Sequence, residues 1–194
     1  MSQAGRLSAA LAGGLALLAG AVLAVSGLWI PAKAHLSQIL LDRAFEQTLA
    51  SGGEAHRPWP WADTWPVARL DAGGERLTVL AEGGGEALAF GPAHLSRTAL
   101  PGERGVSVIA AHRDTHFALL RDLEPGETVT LTLKNGEEQR FVMTGSEVVR
   151  HDRSGIDPGD GGPARLALVT CWPFGVATPG PLRYVAWLEP VQGA

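Results

Sequence analysis

The pattern of apolar and polar positions divides the chain into three parts. The first is an uncharged stretch from Leu7 to Ile30, LSAALAGGLALLAGAVLAVSGLWI, which is 24 residues long. About 20 helical residues cross the core of a bilayer, so this stretch predicts a transmembrane helix. Residues 1–31 are interpreted as an N-terminal membrane anchor. The alternative is a cleaved signal peptide, whose apolar region runs to about 7–15 residues; the length favours a retained anchor.

The second part, residues 32–65, combines a helix and a linker. The stretch AKAHLSQILLDRAFEQTLASGG has apolar residues at helical spacing and predicts a helix that ends at Gly52 and Gly53. The stretch EAHRPWPWADTWP contains three Trp and three Pro and cannot form a regular element. It predicts an irregular linker whose tryptophans pack on the domain that follows.

The third part, residues 66–194, has the pattern of short strands. VARL and RLTVLA flank DAGGE as a hairpin, and TVTLTLKNGEEQRFVMTGSEVV alternates around the turn Asn135–Gly136. GVSVIAAH, RLALVTC and LRYVAWLEP are apolar runs typical of buried strands. FALLRDL predicts a short helix, and ALAFG either a strand or a short helix. About eight short strands predict a mainly β domain, closed into a barrel or sandwiched.

Composition and charge narrow the possible functions. The chain is 45% hydrophobic and 19% charged, with a net charge of −4 and no basic stripe, which argues against nucleic acid as a partner. It contains one cysteine, which excludes an intramolecular disulfide and a multi-cysteine zinc site. No metal site is predicted.

That cysteine, Cys171, stands at the end of an apolar run. A lone cysteine is most often a small buried hydrophobe. The alternative is a nucleophile, which needs a proton partner and a donor for the oxyanion of acyl transfer. His112 ends the run SVIAAH, and Arg183 enters the last strand. Each of these alone fits a solvated strand-edge residue, but together, in the order His, Cys, Arg, they favour a catalytic set.

These motifs resemble those of the sortases, membrane-anchored cysteine transpeptidases with an eight-stranded β-barrel. GPAHLSRTALPGERGVSVIAAHRDTHFALLRDLEPGE is similar to the family's run into its catalytic histidine. LALVTCWPF is similar to its threonine-cysteine strand, and LRYVAW to its arginine strand. The resemblance covers about residues 66–189, so residues 66–194 are expected to form the barrel domain. The Trp-rich lead and the short loops resemble the proteobacterial sortase group.

The resemblance implies a role for each site residue. Cys171 attacks a sorting signal, usually of the LPXTG kind, between Thr and Gly and gives a thioacyl enzyme. His112 protonates the leaving amine and then assists the incoming amine, while Arg183 holds the substrate backbone or the oxyanion. Thr170 and Trp172 are expected to line the substrate site. The chemistry needs no cofactor, and the partners implied are a protein with a C-terminal sorting signal and an amine acceptor of unknown identity.

Three residues lie close to His112 in the sequence, and two alternative functions stay open. His116 is expected to be a rim or packing residue, and Arg113 and Asp114 a surface pair or loop-capping groups. One rival is an L,D-transpeptidase, from whose Ser-His-Gly-Cys motif LVTCW departs. The other is a catalytically inactive, membrane-tethered β-barrel that only binds a partner.

The expected location follows from the anchor. Arg6 precedes the apolar span, and Lys33 and Arg43 follow it, so the distribution of positive charge does not set the orientation. A large domain after an N-terminal anchor is usually outside the cytoplasm. We therefore expect a single-pass protein of the cell (inner) membrane with an extracytoplasmic catalytic domain, which is periplasmic if the cell is Gram-negative.

Overall fold

The computed structural model describes residue 20, residues 36–81, residues 87–156, residues 161–176, residue 178 and residues 180–191. The chain divides into two units, Met1–Ile39 and Leu40–Ala194. Apart from Gly20, which is helical, the predicted transmembrane segment lies outside the described residues. Within those residues, the helices are all too short or too polar to cross a membrane.

A helix covers residues 36–50 and ends where the two glycines were expected to stop it. The Gly53 amide donates to the Thr48 carbonyl at 2.8 Å. Gly52 and Gly53 have φ angles of 73° and 101°, in the left-handed region that closes many helices. Leu41 is fully buried and packs in a small cluster with Leu80 and residues of the following turn, so the helix is attached to the sheet through its apolar side.

The described residues of the larger unit form eight strands: β1 (Pro66–Ala72), β2 (Glu75–Leu80), β3 (Ala93–His94), β4 (Val106–Ala110), β5 (Thr128–Leu133), β6 (Glu138–Arg150), β7 (Arg165–Cys171) and β8 (Leu182–Pro190). They close into a barrel in the order β1-β2-β3-β4-β7-β8-β6-β5. This decides between the barrel and the sandwich in favour of the barrel. A 3₁₀ helix at Ala118–Arg121 is the short helix expected in FALLRDL.

The core follows from the alternation of apolar residues along the strands. β1 reads buried and half-buried in strict alternation over PVARLDA, as a strand with one face toward a core must. The main cluster contains fully buried residues from six strands and the 3₁₀ helix: Leu70, Val79, Leu120, Leu131, Phe141, Leu166 and Leu188. The interior of the barrel is therefore filled by side chains, and the chemistry is restricted to its ends and loops.

Two connecting segments differ from the sequence-based expectations. In ALAFG, Ala87 is helical and residues 88–90 form a turn, which excludes the strand alternative. In the Trp-rich linker, the Trp59 ring packs edge-on against Phe90 with 5.2 Å between centroids, as expected. Trp61, however, is 82% exposed, so the packing prediction is wrong for this tryptophan. The chain turns over residues 59–62, where the Ala62 amide donates to the Trp59 carbonyl at 3.0 Å, and Trp61 lies within this turn with its side chain in solvent.

Candidate active site

The structure places Cys171 and Arg183 directly opposite each other on neighbouring strands. Cys171 is the last residue of β7 and pairs with Arg183 near the start of β8. Residues paired across two antiparallel strands point to the same face, with Cβ atoms about 4.5–5.5 Å apart. The thiol is half-buried, so it can be reached from the end of the barrel while one side of it is shielded from water.

His112 reaches the same end of the barrel from β4. β4 and β7 are parallel, with Ala110 opposite Val169. The pairing continues beyond β4, because the Ala111 amide donates to the Val169 carbonyl at 3.1 Å. Continued by two residues from the pair of Ala110 and Val169, the parallel register brings His112 level with Cys171. His112 is exposed, as a residue that exchanges protons with a substrate must be.

A second hydrogen bond links the two strands next to these residues. The Thr170 hydroxyl donates to the Ala111 carbonyl at 2.7 Å, and the bond is buried. Thr170 precedes the cysteine and Ala111 precedes the histidine. The hydroxyl proton is thus already used within the protein, and contact of Thr170 with a substrate stays a prediction.

The Arg183 guanidinium lies over its own loop. Its Nη1 donates to the carbonyls of Gly180 and Leu182, each at 2.8 Å. Among the described residues, the ion pairs do not include Arg183. A role in holding the barrel through an acidic partner therefore has no support in this part of the chain. Arg carries five N–H donors, and its hydrogen bonds to the residues that the structure describes use Nη1, which leaves Nε and Nη2 without a partner in that part of the chain.

An aromatic cluster lies at the same strand ends as Cys171 and Arg183 but on the opposite face of the sheet, since Tyr184 pairs with Thr170 and side chains alternate along a strand. Trp172 stacks on Tyr184 with centroids 6.0 Å apart, and Phe174 packs edge-on against both rings at 5.5 and 5.3 Å. The Arg121 guanidinium lies 5.6 Å from the centre of the Phe174 ring. Sequence analysis selected Trp172 and missed the other two rings. The signal was present, since both are aromatic residues beside a site motif, in CWPF and LRYVAW.

Arg113 is not on the surface, which corrects one expectation. Its side chain is 5% exposed, and it pairs with the exposed Asp114 at 3.6 Å. Its Nη2 donates to the carbonyls of Val176 and Thr178, the latter at 3.1 Å. The loop-capping alternative is therefore confirmed for Arg113, while the surface-pair alternative is wrong. The physical reason is that the loop after Cys171 folds over the guanidinium and supplies carbonyl acceptors for it.

His116 is half-buried near His112. Burial lowers the pKa of His116 below its usual value, and the nearby His112 lowers it further, while Glu75 partly opposes both effects. The neutral imidazole is thereby favoured. This agrees with the rim or packing position expected from the sequence.

Comparison with known proteins supports the geometry. The family model of the sortase domain matches residues 69–191, which is more than half of the chain, so the protein belongs to the sortase family. Sortases are cysteine transpeptidases that act on proteins with sorting signals. Membership of this family excludes the L,D-transpeptidase alternative.

A curated relative and two solved structures illustrate the similarity. Sortase D of Bacillus subtilis (strain 168) is 31% identical over 100 residues, covering 52% of this chain and 50% of that protein; the match thus spans about half of the relative's length. A Clostridium perfringens sortase D5 transpeptidase has a TM-score of 0.63 at 18% identity, with 81% of this chain and 99% of that chain covered. Sortase C-1 from Actinomyces oris has a TM-score of 0.57 at 24% identity, covering 66% and 76%. These two likenesses establish the fold, and the proteobacterial grouping stays a prediction.

Proposed function

We propose that this protein cleaves a C-terminal sorting signal of the LPXTG kind through a thioacyl intermediate on Cys171 and transfers the acyl group to an amine. The observation that carries this proposal is the convergence of Cys171, His112 and Arg183 at one end of β4, β7 and β8. Each residue comes from a different strand, and a nucleophile, a proton carrier and a multi-donor cation are what acyl transfer requires.

In the first half of the reaction, the Cys171 sulfur attacks the carbonyl carbon of the bond between Thr and Gly. The C–S bond forms, and the carbonyl oxygen takes up the negative charge. The C–N bond then breaks, and the proton that the departing amine needs comes from His112. The products are a thioester between the Thr carbonyl and Cys171, and the released C-terminal tail, which now begins with a free Gly amine.

In the second half, an incoming amine attacks the thioester carbon and loses its proton to His112. The C–S bond breaks, and the thiolate of Cys171 leaves. Arg183 serves both halves, because its free Nε and Nη2 can donate to the oxyanion or to a substrate carbonyl while Nη1 holds the loop. The planar fork of a guanidinium suits this double task better than a point charge does.

The aromatic cluster supports the strand ends that carry Cys171 and Arg183 from the opposite face of the sheet. Trp172 follows the nucleophile directly, and its ring is braced by Phe174 and Tyr184. Aromatic pairs of this kind contribute about 0.5–1.5 kcal/mol beyond their buried area. Braced rings keep their orientation, so the cluster stabilises the ends of β7 and β8, and contact of Trp172 with a substrate stays a prediction.

We also propose that residues 7–30 anchor the protein in the cell membrane with the barrel outside the cytoplasm. Their support is the uncharged 24-residue stretch. Fractionation of cells that express the full chain should find it intact in the membrane fraction and sensitive to added protease from the extracytoplasmic side. Recovery of a shortened, soluble form would instead establish a cleaved signal peptide.

The test of the reaction is capture of the acyl enzyme. The full chain in detergent is incubated with peptides that end in LPXTG-type signals, without an amine acceptor, and the protein is analysed by mass spectrometry. We expect a mass increase equal to the acyl fragment, located on Cys171, and its loss when a glycine peptide is added. Cys171→Ala is the matched control and should stay unmodified.

Other outcomes would point elsewhere. Binding of a peptide without any acyl adduct or cleavage would favour the inactive binding module. An adduct on a different residue would refute the assignment of the nucleophile. An adduct with a sorting signal of another sequence would retain the mechanism and replace the LPXTG specificity.

A further inference from the structure

Arg113 joins the turn that carries His112 to the loop that follows Cys171. The turn is closed by two hydrogen bonds to the His112 carbonyl, from the amides of Thr115 at 3.4 Å and Phe117 at 3.0 Å. From this turn the Arg113 side chain runs inward to the loop of residues 172–181. Its two acceptors are the carbonyls of Val176 and Thr178, in the middle of that loop.

The burial of this guanidinium requires an explanation. A buried cation is costly unless its donors are used, and replacement of a buried ion pair by apolar groups is often neutral or stabilising. The counterion Asp114 is 60% exposed at 3.6 Å, so solvent weakens the attraction. Nη1 is buried without an acceptor among the described residues. The position is therefore poorly explained by stability alone.

The contacts of Arg113 complement those of Thr170. Thr170, before the cysteine, binds Ala111, before the histidine. Arg113, after the histidine, binds the loop after the cysteine. The two connections enclose the pair formed by His112 and Cys171, one on each side.

The loop has other connections near its base. The Trp172 amide donates to the Leu182 carbonyl at 3.1 Å, and Arg183 holds Gly180. Within the described residues, the hydrogen bonds to the Val176 and Thr178 carbonyls come from Arg113. Without Arg113, the loop stays attached at its base and loses its link to the turn of His112.

We propose that Arg113 is a positioning residue for acyl transfer: by holding the 172–181 loop against the His112 turn, it sets the alignment of His112 with Cys171. The consequence for the reaction rests on the function proposed above, whereas the link itself does not. Arg113 reaches two carbonyls with one planar group, and a lysine ammonium cannot reproduce that geometry.

The test compares Arg113→Lys and Arg113→Gln in the full chain with a matched control, Arg104→Gln. Arg104 also donates from Nη2 to a loop carbonyl, that of Gly161 at 3.1 Å, but it is exposed. It lies before β4, at the end of the β4–β7 pair remote from His112. The control therefore removes a similar contact without touching the site.

Three measurements are made on each variant: amide hydrogen exchange, kcat and KM on a sorting peptide, and Tm. For both Arg113 variants we expect exchange in residues 172–178 to accelerate about tenfold or more while β4 and β7 stay protected. We expect kcat to fall about 10²-fold, as misplacement of a catalytic group by about 1 Å typically causes. KM should change by less than about threefold, because a contact that acts on alignment is lost rather than a contact with bound substrate. Arg104→Gln should match the wild type in all three.

Each contrary result overturns the proposal. Unchanged loop exchange in both Arg113 variants would show that the loop is held by other groups. Full activity in Arg113→Lys would mean that charge alone matters, and a fall in Tm with unchanged kcat would mean a purely structural role. If Arg113→Gln does not fold, the proposal is judged on Arg113→Lys, which keeps the buried aliphatic stem and the charge. If the wild type cleaves no sorting peptide, the proposed function fails, and the exchange measurement still accepts or rejects the link.

Discussion

Replacement of Thr170 by valine tests how the two strands of the site are held together. Valine has nearly the shape of threonine, so the change removes the hydroxyl and leaves packing almost intact. The lost bond is 2.7 Å long and buried, and Thr170 is 2% exposed. Loss of its donor leaves the Ala111 carbonyl in an apolar surrounding, which costs about 1–3 kcal/mol.

This cost should appear as a lower Tm. One kcal/mol corresponds to roughly 2–8 °C for domains of about 60–250 residues, so we expect a fall of about 4–10 °C. The bond also lies between the residues that precede Cys171 and His112, so kcat should fall as well, while KM changes little. Scanning calorimetry and steady-state kinetics on the same preparations measure both effects.

The matched control is Thr48→Val. Thr48 is fully buried, and its hydroxyl also donates to a carbonyl, that of Ala44 at 3.0 Å. That carbonyl lies four residues earlier in a helix, where the backbone already supplies a donor. We expect a smaller loss of Tm and unchanged kinetics. If Thr170→Val raises KM and leaves Tm unchanged, the hydroxyl serves the substrate, and the structural role argued here is wrong.

Three further predictions concern the remaining site residues. Cys171→Ala should abolish acyl transfer with Tm within a few degrees of the wild type, since the thiol is small; peptide turnover by that variant would refute the mechanism. In Arg183→Lys the rate should fall about 10²–10³-fold, as it does when an oxyanion donor is lost. Near-normal rates would refute the role given to the planar guanidinium. The third prediction concerns stability: the pKa of His116 is lowered from 6.5, mainly by burial. Between the lowered pKa and 6.5 the unfolded chain binds more protons than the folded one, so stability rises with pH. When the pH is lowered from about 7.5 to about 5.5, Tm should fall less in His116→Gln than in the wild type. Equal falls in the two proteins would contradict this.

Seven of the eight strands among the described residues were predictable because each carries a strong local signal. The β5–β6 hairpin turns at Asn135–Gly136, where a glycine with φ of 85° permits a tight turn that few other residues allow. The alternation in β1 and the apolar runs in β4 and β7 reflect faces buried in the core. β3 was missed because its two residues, Ala93 and His94, are too few to show a period, whereas ALAFG, a candidate strand, is not one.

The pairing order was not available from local patterns. β4 and β7 pair in parallel although Ala110 and Val169 are far apart in sequence. The apolar pattern within a strand does not indicate which distant strand will pair with it. The sequence identified His112, Cys171 and Arg183 as polar residues at strand ends, and the resemblance placed them in one site. It could not identify the buried position of Arg113, because arginine is usually exposed and its acceptors are backbone carbonyls, which any residue supplies.

The position of β7 between β4 and β8 has a consequence for biosynthesis. The candidate catalytic residues lie on three separate segments, and Cys171 and Arg183 fall in the last 24 positions of the 194. His112 is synthesised long before the thiol it is to act with. Pairing between distant segments forms slowly compared with local structure, so in a nascent chain Cys171 is present before the barrel brings His112 and Arg183 to it. The candidate site is therefore complete only after the last two strands have joined the barrel.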